Sequence, residues 1–380
     1  MKDIMCFNGY PDRYLNRMRK TKEEMEKAGI DVFLLGPSSD LFYLTGYAAK
    51  GDERLFLLVL PLEDSAGCEP FILANLLYKE QVKSLPVKEF VYWKDGEDPF
   101  GLLKAEIEKR NIPVKKAAIN SQIPALFSLP LTETFSGTRF ALGSDLTGAM
   151  RQIKEHDELE LIRRASRESD LALAAVMDKG SGWIGKTEAE FRGELFAELR
   201  CRGLASPGAA VAVGANAAIP HHDCGNTVIE RGKCLLVDFW SSFEGYYTDC
   251  TRTFHFGKPD KEFEKIHAIV LEAHLAAEAA ARPGNTLGDV DKAARSIIEK
   301  YGYGEYFTHR TGHGIGIDVH EGSHVNKGVQ TSIEPGMVFS IEPGIYFPGR
   351  FGVRIENIVI AGESGPEPLH SYPRKLEVFY

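Results

Sequence analysis

The chain has 380 residues, 43% of them hydrophobic and 26% charged, the composition of a globular protein with a full core rather than a disordered or fibrous one. Forty-five Lys plus Arg against 54 Asp plus Glu give a net charge of −9, which speaks against a nucleic-acid or anionic-membrane partner, since either needs a basic face. The length predicts two or three domains.

In chain order, residues 13–28 read as a helix, with Leu15, Met18, Met25 and Ala28 at helical spacing. Short apolar runs at 31–36, 54–62, 70–75 and 115–120 read as strands, and 98–111 as a second helix. This alternation predicts an α/β N-terminal domain over residues 1–145. Gly, Ser and Thr interrupt the pattern at 143–150. A long amphipathic helix then runs to Met177 through Leu159, Ile162, Ala165 and Leu171. Helices at 187–202, 260–281 and 287–301 follow, the last with Thr286 as N-cap. They alternate with strand-rich stretches, so residues 146–380 form an α+β domain.

The six cysteines contain no CxxC pair, which excludes a zinc ribbon or a thioredoxin-type motif. They read as reduced thiols in a cytoplasmic protein. The N-terminus lacks a signal-type apolar core, and the longest apolar run, Leu55–Leu62, is too short to span a bilayer.

The chemistry lies in the second domain, where nine of the eleven histidines fall between positions 221 and 324. In LLVDFWSSFEGYYTDCTRTF a hairpin loop at Phe243-Glu244 sets Asp238 directly opposite Asp249. In FSIEPGIYFPGRFGVRIENIVI a three-residue loop at Pro348-Gly349-Arg350 sets Glu342 opposite Glu356, with Arg354 on the same face. Like charges facing each other on apolar hairpins repel, and Asp is a poor strand former. Solvent-exposed edge positions are the bland explanation; two such pairs in one domain favour bound cations. Between them, Gly312, Gly314 and Gly316 surround His313 and let the backbone approach it closely. The spacing is neither GxGxxG nor a Walker loop, so a phosphate site is disfavoured. Four carboxylates carry −4, which two divalent ions balance. Carboxylates with one imidazole suit Mn, Co, Zn or Fe.

With Asp238, Asp249, His313, Glu342 and Glu356 in this order, in the contexts His-Gly-Ile-Gly and Glu-Pro-Gly, the chain resembles the metallopeptidases of family M24, which have the pita-bread fold. The resemblance covers essentially the whole chain. The first 145 residues look like the N-terminal domain of the creatinase, prolidase and aminopeptidase P branch, and Arg151-Gln-Ile-Lys with Glu158 resembles the start of its catalytic domain. It implies a dinuclear centre whose bridging ligands are Asp249 and Glu356. Its acid–base group is Glu342, and Arg354 lies near the site. By the same resemblance, His221 contacts the scissile amide and His320 stabilises the tetrahedral intermediate. The implied activity is hydrolysis of the bond before proline in an Xaa-Pro dipeptide. Alternatives are an Xaa-Pro aminopeptidase on longer peptides and a non-peptidase C–N hydrolase or lyase of the same fold. A homodimer, with no nucleic acid or membrane partner, is also implied. Metal-free creatine-hydrolysing members lack several of these ligands, which are all present here. The run Val211–Pro220 and the His222 that follows His221 depart from many prolidases. His222 and His324 read as packing residues.

Overall fold

The structure, a computed structural model, describes residues 11–63 and 68–380. The chain divides into two units, 1–150 and 151–380. None of its described helices is long and apolar enough to cross a membrane.

The first unit is built on a six-stranded sheet of β1 (Val32–Leu35), β2 (Leu57–Pro61), β3 (Phe71–Asn75), β4 (Glu89–Trp93), β5 (Lys116–Ile119) and β6 (Arg139–Leu142), in the order β4-β3-β2-β1-β5-β6. The pairs β1–β5, β5–β6 and β3–β4 are parallel, while β2 is antiparallel to both neighbours. Every residue of β1 is buried, as its unbroken apolar run requires of a strand covered on both faces. Helices α1 (Pro11–Ala28), α2 (Ser39–Thr45), α3 (Lys79–Val82), α4 (Pro99–Lys109), α5 (Ala125–Thr134) and α6 (Ser144–Gln152) complete the elements up to the second unit. The buried stripe of α1 runs through Tyr14, Met18, Thr21 and Met25, so Leu15 and Ala28 of the expected face are exposed instead.

In the second unit the expected long helix is α7 (His156–Met177), separated from α6 by a break at 153–155, where Glu155 caps α7 in a box with Glu158. With α8 (Glu188–Cys201) it covers a sheet ordered β17-β9-β8-β7, formed by β7 (Ala205–Val213), β8 (Lys233–Phe243), β9 (Tyr246–Phe256) and the short C-terminal β17 (Val378–Phe379). Helices α9 (Lys261–Ala280) and α10 (Leu287–Lys300), the latter capped by Thr286, pack on the second core. That core is shared with β11 (Glu321–Val325), β12 (Val338–Ile341), β13 (Gly344–Phe347), β14 (Phe351–Arg354) and β15 (Asn357–Gly362), while β10 (Gly312–Gly314) pairs with β11 and β12, and β16 (Gly365–Pro368) with β15.

Two registers position the carboxylates. The β8–β9 turn is Glu244-Gly245, with φ of 48° and 85°, so Phe243 pairs with Tyr246 and Asp238 with Thr251. The expected Phe243-Glu244 loop and the directly opposed Asp238–Asp249 pair are therefore corrected. A two-residue turn with both central φ positive matches the strand twist, and Gly245 supplies one of those residues at no steric cost. Asp249 instead opposes Trp240, two positions along, so both aspartates still point to one face. The second register is as read: Phe347 pairs with Phe351, and the same register continues through Ile341–Asn357 of β12–β15. Glu342 and Glu356 sit where this shared ladder is interrupted, between the two sheets.

Candidate metal centre and cleft

All eight residues singled out in the sequence line one cleft of about 680 Å³: His221, Asp238, Asp249, His313, His320, Glu342, Arg354 and Glu356. Each comes from a different constraint. Asp238 and Asp249 project from the β8–β9 hairpin. Glu342 and Glu356 leave the ladder at its break. His313 lies on β10, where close backbone contact is built in: a Cβ on Gly312 would overlap the Ser340 carbonyl, and one on Gly314 that of Glu321.

Burial and charge dominate the site. Asp249, His313, Arg354 and Glu356 are buried. One ligand atom each from Asp249, His313 and Glu356 lies within 4.8 Å of the others. Oδ1 of Asp249 and Oε1 of Glu356 are buried with no hydrogen-bond partner. A carboxylate oxygen held out of water without a donor is costly, so this pair of oxygens fits a cation. Before any cation binds, burial followed by Glu356 and Asp238 pushes Asp249 well up. Burial and the neighbouring carboxylates do the same to Glu356. Burial raises Glu342 to about 7, against the pull of Arg354. Burial lowers His313 to about 3, keeping the imidazole neutral, as a metal ligand must be.

The surrounding hydrogen bonds orient this set. Nη2 of Arg354 donates to Asp238 Oδ2 at 2.7 Å and Nη1 to the Tyr346 hydroxyl at 2.8 Å. Arg354 Nε reaches Thr251 Oγ1 at 3.2 Å, and that hydroxyl donates to Glu356 Oε2 at 2.6 Å. Ser340 Oγ accepts from the His313 amide at 3.0 Å and donates to Glu342 Oε1 at 3.2 Å. The His313 and His320 rings meet edge to face at 4.1 Å, and His320 is exposed to the cleft.

Most supports further out could not be read from the sequence, because their partners come from distant segments; Arg151, Lys154, His222 and His324 stood out there, but not their partners. Glu188, fully buried on α8, accepts from Val213 N at 2.8 Å, Asn216 Nδ2 at 2.9 Å and Gly225 N at 3.0 Å, and bonds His222 Nε2 at 3.0 Å. It thereby ties down the loop that carries His221, with His222 held through its ring nitrogen rather than by packing alone. His324 stands 3.0 Å from Arg310 Nη1. Arg295 on α10 pairs with buried Asp291 at 2.8 Å and donates to the carbonyls of Phe307 at 3.1 Å and His309 at 3.0 Å. Asp291 also accepts from Thr311 Oγ1 at 2.8 Å, two residues before His313. Arg151 bonds Asp318 at 2.7 Å and Glu321 at 2.5 Å, and Lys154 bonds Glu321 at 2.9 Å, so the segment after the domain junction holds the loop bearing His320. His309 and Arg310, in the run just before His313, also line the cleft, and neither stands in the Gly-rich motif that marks His313.

Of the cysteines, Cys68, Cys234 and Cys250 are buried and free, Cys201 is exposed and Cys224 half-buried, while Cys6 lies outside the described residues.

The chain is similar to known proteins along nearly its whole length. Residues 160–363 match the model of metallopeptidase family M24, and residues 17–153 that of the creatinase/prolidase N-terminal domain. Probable dipeptidase PepE of Mycobacterium bovis is 36% identical over 370 residues, covering 96% of each chain. A dipeptidase from Pyrococcus horikoshii superposes with a TM-score of 0.89 at 34% identity, over 96% of this chain and all of that one. A prolidase from Thermococcus sibiricus does so with a TM-score of 0.91 at 33% identity, over 96% of this chain and 99% of that one.

Proposed function

Because this chain belongs to metallopeptidase family M24, we propose that it hydrolyses Xaa-Pro dipeptides with two divalent cations held by Asp238, Asp249, His313, Glu342 and Glu356. One observation carries the reading: the two buried carboxylate oxygens, on Asp249 and Glu356, that no protein donor reaches. The dipeptidase and prolidase names of relatives aligned along nearly the whole chain support the substrate class.

Four carboxylates and one neutral imidazole suit Mn, Co, Zn or Fe, and a pair of such ions balances their charge. Bound there, the ions supply Lewis acidity toward water and the scissile carbonyl. The chain's own residues do the rest. Glu342, on the wall of the cleft, takes the proton of the attacking water and passes it to the leaving nitrogen. That delivery matters for a proline amide, whose nitrogen bears no hydrogen and leaves as a secondary amine only once protonated. His320, at the cleft surface, donates to the developing oxyanion. His221, on the loop clamped by Glu188, orients the peptide group. Arg354 fixes Asp238 and, through Thr251, Glu356.

The test offers metal-loaded enzyme Xaa-Pro dipeptides and Xaa-Pro-Yaa tripeptides side by side. Faster turnover of the dipeptides is expected. Faster turnover of the tripeptides would reassign the chain as an Xaa-Pro aminopeptidase. Cleavage of neither, with ions demonstrably bound, would favour a non-peptidase chemistry on the same fold.

A further inference from the structure

We propose that Trp240 is the specificity-determining residue of the cleft and that it selects dipeptides with a bulky apolar or aromatic side chain at the residue before proline. The inference deepens the dipeptidase reading and rests on it.

Three observations converge. Strand alternation puts Trp240 on the same face of β8 as Asp238, and the register sets it opposite Asp249 on one side and Gly208 of β7 on the other. The indole therefore stands beside two proposed metal ligands. Second, Gly208 makes room for it: a Cβ there would overlap the indole at Cε2, Cζ2 and Nε1. The ring lies directly on the backbone of β7, a seat that only glycine leaves open. Third, Trp240 differs from the other two tryptophans. Trp93 and Trp183 are buried, and their indole N–H groups donate to the carbonyls of Leu55 at 3.1 Å and Val176 at 2.8 Å. Trp240 is half-buried and lines the cleft, and among the described residues no protein acceptor meets its Nε1.

The chemistry of the cleft gives this placement a meaning. Its walls are otherwise carboxylates, imidazoles, arginines and an asparagine, with only Pro220 and Val319 to add apolar surface. A large aromatic face left open in a charged cleft is the pattern of a ligand subsite: apolar area for binding beside a few polar groups that fix orientation. Burying a leucine or phenylalanine side chain against that face removes apolar surface from water, and a glycine side chain gains nothing there.

The experiment compares kcat/KM for Leu-Pro, Phe-Pro, Gly-Pro and Asp-Pro in metal-loaded wild type, Trp240→Ala and Trp240→Phe, with metal content and circular dichroism recorded for each. The expected wild-type preference for Leu-Pro over Gly-Pro is about tenfold or more. Trp240→Ala should bring that ratio to within about twofold of unity, and Trp240→Phe should keep most of it, since a ring face rather than the N–H makes the contact. Gly208→Ala, which leaves Trp240 in place but displaces its ring, gives an independent reading and should also shrink the ratio. An unchanged ratio in both Trp240→Ala and Gly208→Ala, or a wild type that prefers Gly-Pro or Asp-Pro, overturns the assignment while leaving the dipeptidase reading intact. A wild type that cleaves no dipeptide of the panel overturns both.

Discussion

Thr251 Oγ1 donates to Oε2 of Glu356 at 2.6 Å and so leaves Oε1 of the same carboxylate to face the cleft without a protein partner. One oxygen is held by the fold and the other is turned toward the place where a cation would sit. Partners of this kind set ligand orientation, and their loss typically weakens metal affinity about 10–100-fold. Thr251→Val should show a loss of that size in a calorimetric or competition titration, whereas Thr251→Ser, which keeps the hydroxyl, should stay close to wild type.

Glu342 is assigned both proton steps of the reaction. Glu342→Gln keeps the size of the side chain and removes its basicity. It should lower kcat by about 10²–10⁴-fold with a much smaller change in KM. Near wild-type kcat in a variant with full metal content would remove Glu342 from that role.

Removing the metal should make stability depend on pH in a definite direction. Asp249, Glu342 and Glu356 are all raised by burial, Glu342 from 4.5 to about 7. The folded chain then holds protons that the unfolded chain has already released. Stability conferred by those protons is present below the ordinary carboxylate range and is lost as pH climbs through about 7. Histidines kept neutral by burial, His267, His309 and His313 among them, favour the higher pH in chelated and metal-loaded protein alike, so the carboxylates are read from the difference between the two: added divalent ions should raise the melting temperature more at pH 8 than at pH 5.5. An equal or smaller rise at pH 8 would contradict this.

The Arg295–Asp291 pair holds the strand-like approach to His313 from behind. Arg295→Ala strips two carbonyls of their donor and leaves Asp291 buried without its cation. A loss of about 2–5 kcal/mol in urea unfolding is expected. Arg295→Lys should recover part of it, because the ammonium retains the charge but lacks the planar fork that reaches three partners.

The β8–β9 turn contains a residue type poorly matched to its backbone. Glu244 adopts φ of 48°, a left-handed conformation that asparagine tolerates far better. Glu244→Asn should stabilise the protein by about 0.5–1 kcal/mol without altering kcat. An unchanged or lower unfolding midpoint would refute it.

That turn also shows what the sequence could and could not disclose. Pro348-Gly349-Arg350 announces its loop, and the register that it sets runs intact past Glu342 and Glu356 into the next sheet. Ser-Phe-Glu-Gly carries no Asn-Gly or Asp-Gly, so the turn falls one residue later than it reads and Asp238 meets Thr251 rather than Asp249. The aspartates keep a common face because the partner moved by two positions, and strand side chains repeat with that period. Ligand types survive such an error, since their chemistry is carried by the residues themselves. Thr251, Tyr346, Glu188 and Asp291 were invisible for the opposite reason. Nothing about a threonine or a tyrosine marks it as a partner until the other half of the bond, up to 105 residues away for Thr251 and Glu356, is brought against it.

The interruption of the β12–β15 ladder at Glu342 and Glu356 bears on how the protein is made. During synthesis Asp238 and Asp249 can meet as soon as their hairpin closes, but the rest of the site waits for a strand that emerges only after Arg354 has cleared the ribosome. Contacts across so long a separation form late in folding. Until then Asp238 lacks Arg354, and neither Glu356 nor the strand pairing that brings Glu342 beside it is in place. Metal loading is therefore expected to close the assembly of the site. A nascent chain stalled before residue 354 should carry no tightly held ion, however much of the first domain has already folded.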